Sequence, residues 1–358
     1  MTFEIITPAE LDDGLIDRWR ALQAADPALA GPYFTPEYTQ MIGAVRPKDS
    51  RVLLIKDGQE IVGFLPYRTG PLTAMPLGAP LCDYQGVIGA ADLEIDPKAM
   101  LRAMGVGRLD FIHWITKQTS FAPYFHGHDI SHSVDLSGGF QAYLEDKKAS
   151  GSKFFQRTQK KIRKAERDVG AVVINPVSRN HDDFQTLIDW KQAQHQATNT
   201  VDIFAHKWVM EVFERALASD SPHMHAVVTT LHIGDGLAAA SFNLCSASVM
   251  HGWLLGFNRD YAQHSPGLAK VCLMIEKLED TPYRLLDFGS GDYRFKKEIC
   301  NGGNAIAHGC ITGHGPMAWS RQAFYGVRDL AESKDWGRFS HLPGKAMRRL
   351  DVYRGLYG

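Results

Sequence analysis

An internal repeat constrains the fold of this chain more than any other feature of its sequence. A tryptophan inside a helical pattern occurs at Trp19 (DRWRALQ) and again at Trp190 (IDWKQAQ). Aromatic pairs spaced by four follow: Phe34 and Tyr38, then Phe204 and Trp208. A hairpin pattern comes next in each half, with Gly63 matching Ala240. Leu109-Asp110-Phe111 then matches Leu286-Asp287-Phe288. The five offsets are 171, 170, 170, 177 and 177 residues. Shared order and near-constant offset imply a duplicated domain of roughly 150–170 residues, which the 358-residue length accommodates twice. The competing reading is two unrelated α/β domains with ordinary aromatic cores.

Local patterns place both copies in a mixed fold. RVLLIKD (51–57) and EIVGFLPYRT (60–69) are β-rich runs joined at Asp57-Gly58, a hairpin-type turn. HAVVTTLHI (225–233) and LAAASFNL (237–244) flank Gly234-Asp235-Gly236; VMHGWLLGF (249–257) follows, and RLLDF (284–288) reads as a short buried strand. Apolar residues three and four apart predict helices over 182–198, 207–219 and 266–279. In the last, Leu268, Val271, Cys272, Ile275 and Leu278 form one stripe. Helices alternating with a central strand meander predict an α/β (α+β) class with mixed, mostly antiparallel sheets.

Composition narrows the function. Lys+Arg number 39 against 40 Asp+Glu, and a protein that binds nucleic acid through bulk charge is far more basic, so DNA is not expected as a partner. Five cysteines at long spacings, with no CxxC, predict reduced thiols and a cytoplasmic location. The acidic start MTFEIITPAELDDGL has no apolar signal-peptide core, and no apolar run approaches the ~18 residues a membrane span needs. His126, His128 and His132 lack the second cluster a metal site requires, so no metal is expected. GxSxG, GxxxxGK[ST] and HExxH are absent, which leaves serine hydrolase, P-loop kinase and zinc protease readings without support. Leu286-Asp287-Phe288-Gly289-Ser290-Gly291 looks like a methyltransferase glycine motif, but Tyr293 stands where the third glycine belongs. The motif also begins about seventy residues from the end, too late to build the doubly wound sheet that must follow.

Two segments carry candidate chemistry. Lys147–Arg167 holds nine Lys/Arg and one acid, Glu166. Written as a helix, Lys153, Arg157, Lys160, Lys164 and Arg167 share one side, while Phe154, Ile162, Ala165 and Val169 can face a core. This is either a solvated face bridging the repeats or an anion-facing helix beside a substrate cleft. The second segment, Arg259–Leu268, joins a strand to a helix. Ser265 is a suitable N-cap, Pro266 suits the first helical position, and Gly267 allows a ligand close to the backbone. Free amides and the positive end of the helix dipole there suit a phosphate or diphosphate.

The order of these elements carries a resemblance. A hairpin, the strand Val249–Phe257, a Tyr-x-x-His-Ser-Pro-Gly helix start and Asp-Phe-Gly-x-Gly-Asp-Tyr-x-x-Lys follow the basic helix Arg157-x-x-x-Lys161-x-Arg163-Lys164. Together they resemble the GNAT acyltransferase superfamily, in its double-lobed CelD-like and FemAB-like branch, over roughly residues 135–300. The resemblance implies two tandem GNAT-like lobes, the first a degenerate copy without the Ser-Pro-Gly start. It implies acyl transfer from a thioester donor, acyl-CoA (acetyl-CoA), to an amine. Carried onto this chain, Leu254, Leu255, Gly256 and Phe257 would line the pantetheine arm, and His264, Ser265, Gly267 and Leu268 would hold the diphosphate. The helix start has one glycine where the family commonly has two, which leaves coenzyme A or another acyl carrier open as donor.

A protonated amine cannot attack a thioester, so a base must take its proton. Asp287 and Asp292 are the acid/base candidates, Tyr293 or Tyr261 the candidate acid for the leaving thiolate, and Lys296 a candidate for orienting an anionic acceptor. For Asp287 the rival reading is a hydrogen-bonded strand end, since Asp110 repeats it; for Tyr261 it is a packed aromatic. His195, with Asp202 nearby, and Arg157 complete the substrate-side candidates. The expected domains are 1–135, a basic linker helix 136–170, a transferase lobe 171–315 and a basic helical tail 316–358. The tail is expected to dock through Met347, Leu350 and Tyr353, with a peripheral membrane contact as a second reading. The expected acceptor is an amino sugar or amino acid unit of a cell-envelope polysaccharide or peptidoglycan precursor. Two alternatives stand beside this: a FemAB-like transferase fed by aminoacyl-tRNA, and a catalytically silent ligand-binding protein of the same fold.

Overall fold

The computed structural model describes residues 1–313, Tyr325 and 342–357, the side chains of the last stretch from Arg349 onward. The described residues form two units. Met1–Leu29, Tyr33–Asp129 and Ala305–Gly358 make the first, and Ala30–Pro32 with Ile130–Asn304 the second. In chain order the elements are β1 (Thr2–Ile6), α1 (Asp13–Ala25), α2 (Pro36–Val45), β2 (Ser50–Asp57), β3 (Glu60–Thr69), β4 (Thr73–Pro76), β5 (Ile88–Gly89), α3 (Pro97–Ala103), β6 (Arg108–Ile115) and β7 (Phe125–Asp135). Then come α4 (Gly139–Ala149), α5 (Phe154–Asp168), β8 (Val172–Ser178), α6 (His181–Thr198), α7 (Lys207–Ala218), β9 (His225–Ile233), β10 (Gly236–Cys245) and β11 (Val249–Phe257). Last are α8 (Pro266–Lys277), β12 (Leu285–Asp287), α9 (Arg294–Ile299), β13 (Gly302–Thr312) and α10 (Leu342–Tyr357).

The repeat is a repeat of topology. The first unit orders its strands β1-β2-β3-β4-β6-β13, and the second orders them β8-β9-β10-β11-β12-β7. In each, the fourth and fifth strands are parallel and the remaining neighbours along these orders are antiparallel. The sixth strand is exchanged: β7 follows the first copy but pairs with β12, and β13 follows the second but pairs with β6. The matched aromatics occupy matched places. Phe34 and Phe204 sit in short 3₁₀ turns, and Tyr38 and Trp208 in the helices that follow. Trp19 is fully buried, stacks 4.6 Å from Phe64 and donates from Nε1 to the Phe34 carbonyl.

Both cores grow from the alternation that built the strands. Leu53, Ile55, Leu65, Phe111 and Trp114 anchor the first, and Val134, Phe154, Val271, Ile275 and Leu286 the second. The helix over 154–168 is therefore not a linker. Phe154, Thr158, Ile162 and Ala165 are buried within the second unit, because that face is apolar at helical spacing. The second boundary also falls at 304/305, since β6 needs β13 to pair its edge. Most of the 316–358 tail, Met347 and its basic neighbours included, lies outside the described side chains. The part of α10 that is described docks differently from expectation: Leu350 and Tyr353 are exposed and Leu356 is buried. Arg354 donates to Asp110 Oδ2 (3.0 Å) and Thr73 Oγ1 (2.8 Å), and Arg68 donates to the Gly355 carbonyl (2.6 Å). Among the described residues no helix is long and apolar enough to cross a membrane.

The two copies differ where their fourth and fifth strands part. In the second unit β11 is one strand. In the first, β4 and β5 hold the equivalent places on β3, and residues 77–87 loop out between them. That loop returns to fill the gap. Gln85 bridges to Trp114, its amide donates to the His113 carbonyl (3.0 Å), and its Oε1 accepts the Ile112 and His113 amides (2.9 and 3.2 Å). The helix after it, α3, starts behind Asp96, whose carboxylate accepts from Lys98 N and puts negative charge at the helix start. Replacing Gln85 with Leu should strand two part-buried amides and destabilise the first unit by about 1–3 kcal/mol. Urea unfolding followed by hydrogen exchange on β6 checks this, and exchange unchanged on β6 would refute it.

Candidate active site

In the second unit β11 and β12 pair over three positions only: Val249↔Leu285, Met250↔Leu286 and His251↔Asp287. β12 ends there, and the chain turns aside through Gly289, whose φ of 70° suits glycine. From Gly252 to Phe257 that edge of β11 pairs with no strand among the described residues. Its other edge stays paired with β10 to Ala239↔Phe257. A bulge between Phe242 and Asn243 leaves Trp253 as the extra residue on β11. The result is a furrow along 252–257, with Leu255 and Phe257 exposed in it.

The furrow connects chemistry on two faces of the sheet. Phe242 packs on Phe184 of α6 and Phe213 of α7, and the register puts Leu244 and its partner His251 on that same face. Ala239 and Phe257 take the opposite face, where α8 packs through Ala269. At the parting point His251, fully buried, has Nδ1 3.3 Å from Asp287 Oδ1. The same carboxylate oxygen accepts Ser131 Oγ–H (2.9 Å) and the Gly289 amide (2.7 Å). The Asp287 prediction thus lands on an oriented imidazole–carboxylate pair. His251 was missed: its only signal was a histidine in an apolar strand, and its partner lies in another strand.

At the other end of the furrow, α8 starts on Ser265 in the left-handed conformation (φ 51°, ψ 56°). Ser265 is the N-cap by position, but its hydroxyl caps no helix amide; it accepts a hydrogen bond from the Lys161 ammonium of α5. Pro266 has no N–H, and the Leu268 and Ala269 amides both reach the Ser265 carbonyl. Among the described residues this leaves the Gly267 amide as the free donor of that turn. A Cβ on Gly267 would meet nothing nearer than the Phe257 ring at 3.9 Å, so the turn is open. His264 is buried with both ring nitrogens unpartnered, and Leu268 packs partly into the core. Gly256 is buried because α6 lies against it: a Cβ would sit 2.8 Å from Leu187.

The remaining candidates are not gathered at the parting point. Tyr261 packs with Ala165, Ile233 and Ala238, its hydroxyl against Gly236. That is about 27 Å along the strand from Leu244, the residue opposite His251. Asp292 is exposed and paired with Lys297 at 2.7 Å, whose hydrogen bond and charge lower its pKa. Tyr293 is exposed. Lys296 is buried and spends its ammonium on the Gly289 and Ser290 carbonyls (3.0 and 2.6 Å), which fixes the loop beside Asp287 and leaves little for an acceptor. Arg157 is ion-paired with Glu298. His195 stacks on Phe204 and lies 3.6 Å from Asp202, with its pKa pushed down chiefly by burial. Among the described residues no cluster of three or more metal-ligating groups occurs.

Residues 152–297 match the family model described as an acetyltransferase (GNAT) domain. This stretch of the second unit is a GNAT domain. No curated protein matches the chain. Solved structures share the two-lobed GNAT fold at low identity. The structure titled FemX is 9% identical with a TM-score of 0.57, over 90% of this chain and 99% of that one. The C-terminal domain of a protein described as a lysylphosphatidylglycerol synthetase from Agrobacterium fabrum is 14% identical with a TM-score of 0.51, over 86% and 94%. A tandem GNAT protein from the clavulanic acid biosynthesis pathway is 12% identical with a TM-score of 0.50, over 88% and 100%.

One buried cation near the furrow gives a stability test. Lys270 of α8 is 2% exposed, donates to Ser241 Oγ, and burial pulls its pKa from 10.5 to about 7. Between pH about 7 and 10 the unfolded chain holds this proton and the folded one does not, so stability rises with pH across that window. Lys270→Met should therefore melt above the wild type at pH about 7, with the gap closing as pH rises. A gap independent of pH in thermal unfolding would refute the assignment.

Proposed function

We propose that the second unit transfers an acyl group from a phosphopantetheine thioester, acetyl-CoA being the form the GNAT resemblance implies, to an amine. The observation that carries this reading is the parting of β11 from β12 between two chemically distinct ends. The five residue steps from Phe257 back to Gly252 cover about 17 Å, of the order of an extended pantetheine arm. The donor phosphate would lie at the Gly267 amide, Ser265 and Lys161, on the α8 face. The arm would run along Leu255 and Leu254 to the Trp253 bulge, and the acceptor would enter from the α6/α7 face.

His251, held by Asp287, takes the amine proton through a water, since the imidazole itself is buried. The amine nitrogen then bonds the thioester carbon, and a backbone amide on the furrow edge meets the developing oxyanion. The C–S bond breaks, and the departing thiolate takes the proton. Asp287 acts here as the group that orients the imidazole, not as the base itself. The acceptor class, an amino sugar or amino acid unit of an envelope precursor, rests on the family resemblance. The first unit, with Gln85 in its gap and Asp96 at its helix start, serves this reading as a copy without a donor.

Thiol release from acetyl-CoA with a panel of amino sugars and amino acids tests the reaction. His251→Gln should lower kcat about 10²–10⁴-fold with donor KM little changed; unaltered kcat would remove His251 from the mechanism. Gly267→Glu places a carboxylate at the phosphate position and should abolish the thermal shift given by millimolar coenzyme A. A shift equal to wild type would count against the donor cleft.

A further inference from the structure

Helix α5 carries the densest run of unpaired positive charge among the described residues of the second unit. Lys153, Lys160, Arg163, Lys164 and Arg167 are exposed on α5 or its N-cap, and none of them reaches a carboxylate among the described residues. Elsewhere many arginines are paired. Arg18, Arg20, Arg46, Arg179 and Arg215 each hold a carboxylate partner, as a chain with 39 basic and 40 acidic residues permits. On α5 only Arg157 is so paired, to Glu298. Lys153, Arg157, Lys160, Lys164 and Arg167 make a stripe along the outer side, opposite Phe154, Ile162 and Ala165. From Lys153 to Arg167 it runs about 21 Å. Lys161, at the border of stripe and core, touches Ser265, so the stripe flanks the start of α8 and the donor end of the furrow.

The helix start itself is sparing. It offers one free amide, at Gly267, with one hydroxyl and one ammonium, because Pro266 has no N–H and two further amides are taken by the Ser265 carbonyl. That set matches a single phosphodiester better than the diphosphate and 3′-phosphate of a nucleotide donor. A nucleotide at Gly267 is also too compact to meet cations spread over about 21 Å. A charged tRNA would also cover them, but its single-stranded 3′ end carries riboses and bases, which are bulkier than a pantetheine arm in a furrow one strand wide.

We infer that the acyl group is delivered on the phosphopantetheine of an acidic carrier protein, which docks along the basic face of α5 with its phosphodiester at Gly267. This rests on the proposed thioester chemistry and names the carrier. Charge complementarity of this kind sets association and specificity more than it adds affinity, so binding should weaken as salt is raised. Neither Lys160, Lys164 nor Arg167 belongs to the transfer site, so reversing them tests docking alone.

The experiment compares an acetylated bacterial acyl carrier protein, coenzyme A and deacylated tRNA by titration against the full chain. Wild type should bind the carrier protein about tenfold or more tighter than coenzyme A. The triple variant Lys160→Glu, Lys164→Glu, Arg167→Glu should weaken the carrier at least about tenfold and leave coenzyme A within about twofold. The milder triple alanine variant should give an intermediate loss. Coenzyme A binding tighter than the carrier, or carrier affinity unmoved by charge reversal, would overturn the inference while leaving the thioester reading intact. Binding of tRNA without the carrier, abolished by the same reversal, would overturn it in favour of a nucleic-acid donor. If Gly267→Glu changes no titration, the donor cleft fails, and the inference with it.

Discussion

Parallel pairing of β11 with β12 stops after His251↔Asp287, and the site depends on that stop. A strand fully paired on both edges offers a ligand only side chains. A strand paired on one edge offers a row of backbone groups and a slot that joins both faces of the sheet. Several local devices keep the slot open. Gly289 turns the chain away with a positive φ, and Lys296 ties its ammonium to the carbonyls of Gly289 and Ser290. The Trp253 bulge lets β11 keep its register with β10 while it leaves β12. Ser265, strained at φ 51°, starts α8 beside the far end of the slot.

The same topology without the slot stands in the first unit, and the contrast shows what the slot requires. There the strand equivalent to β11 is broken by residues 77–87, and Gln85 restores the missing pairing with hydrogen bonds from backbone and side chain. Buried backbone groups must find partners; one copy meets that need from its own chain, and the other leaves the groups facing solvent. The exchange of β7 and β13 follows from the same need. Each copy has a fifth strand whose outer edge must be paired, and each takes its sixth strand from the other end of the repeat. This is also why domain limits drawn from composition miss: the boundary follows pairing partners, and strand exchange leaves no Gly/Pro-rich seam in the sequence.

The long elements were legible. The strands 225–233 and 249–257 and the helix starts at Pro266 and Lys207 fall where period and caps put them. Asp287 was legible as a candidate through its place at a strand end. His251 and Ser131 were not, because their role is made by register between strands distant in sequence. Tyr261 and Lys296 looked chemical in sequence but spend themselves on packing and on backbone carbonyls.

The sequence by itself determined the duplication, the alternation of helices and strands, and the charged face of α5, since each is written in spacing along one segment and needs no partner to be read. Only the tertiary structure decided that one copy keeps an open slot while the other fills it, and that an imidazole and a carboxylate meet at its head. Both depend on which strands pair and where the pairing ends. Pairing is a contest among edges for hydrogen-bond partners across the whole chain, and no local window of residues contains its outcome.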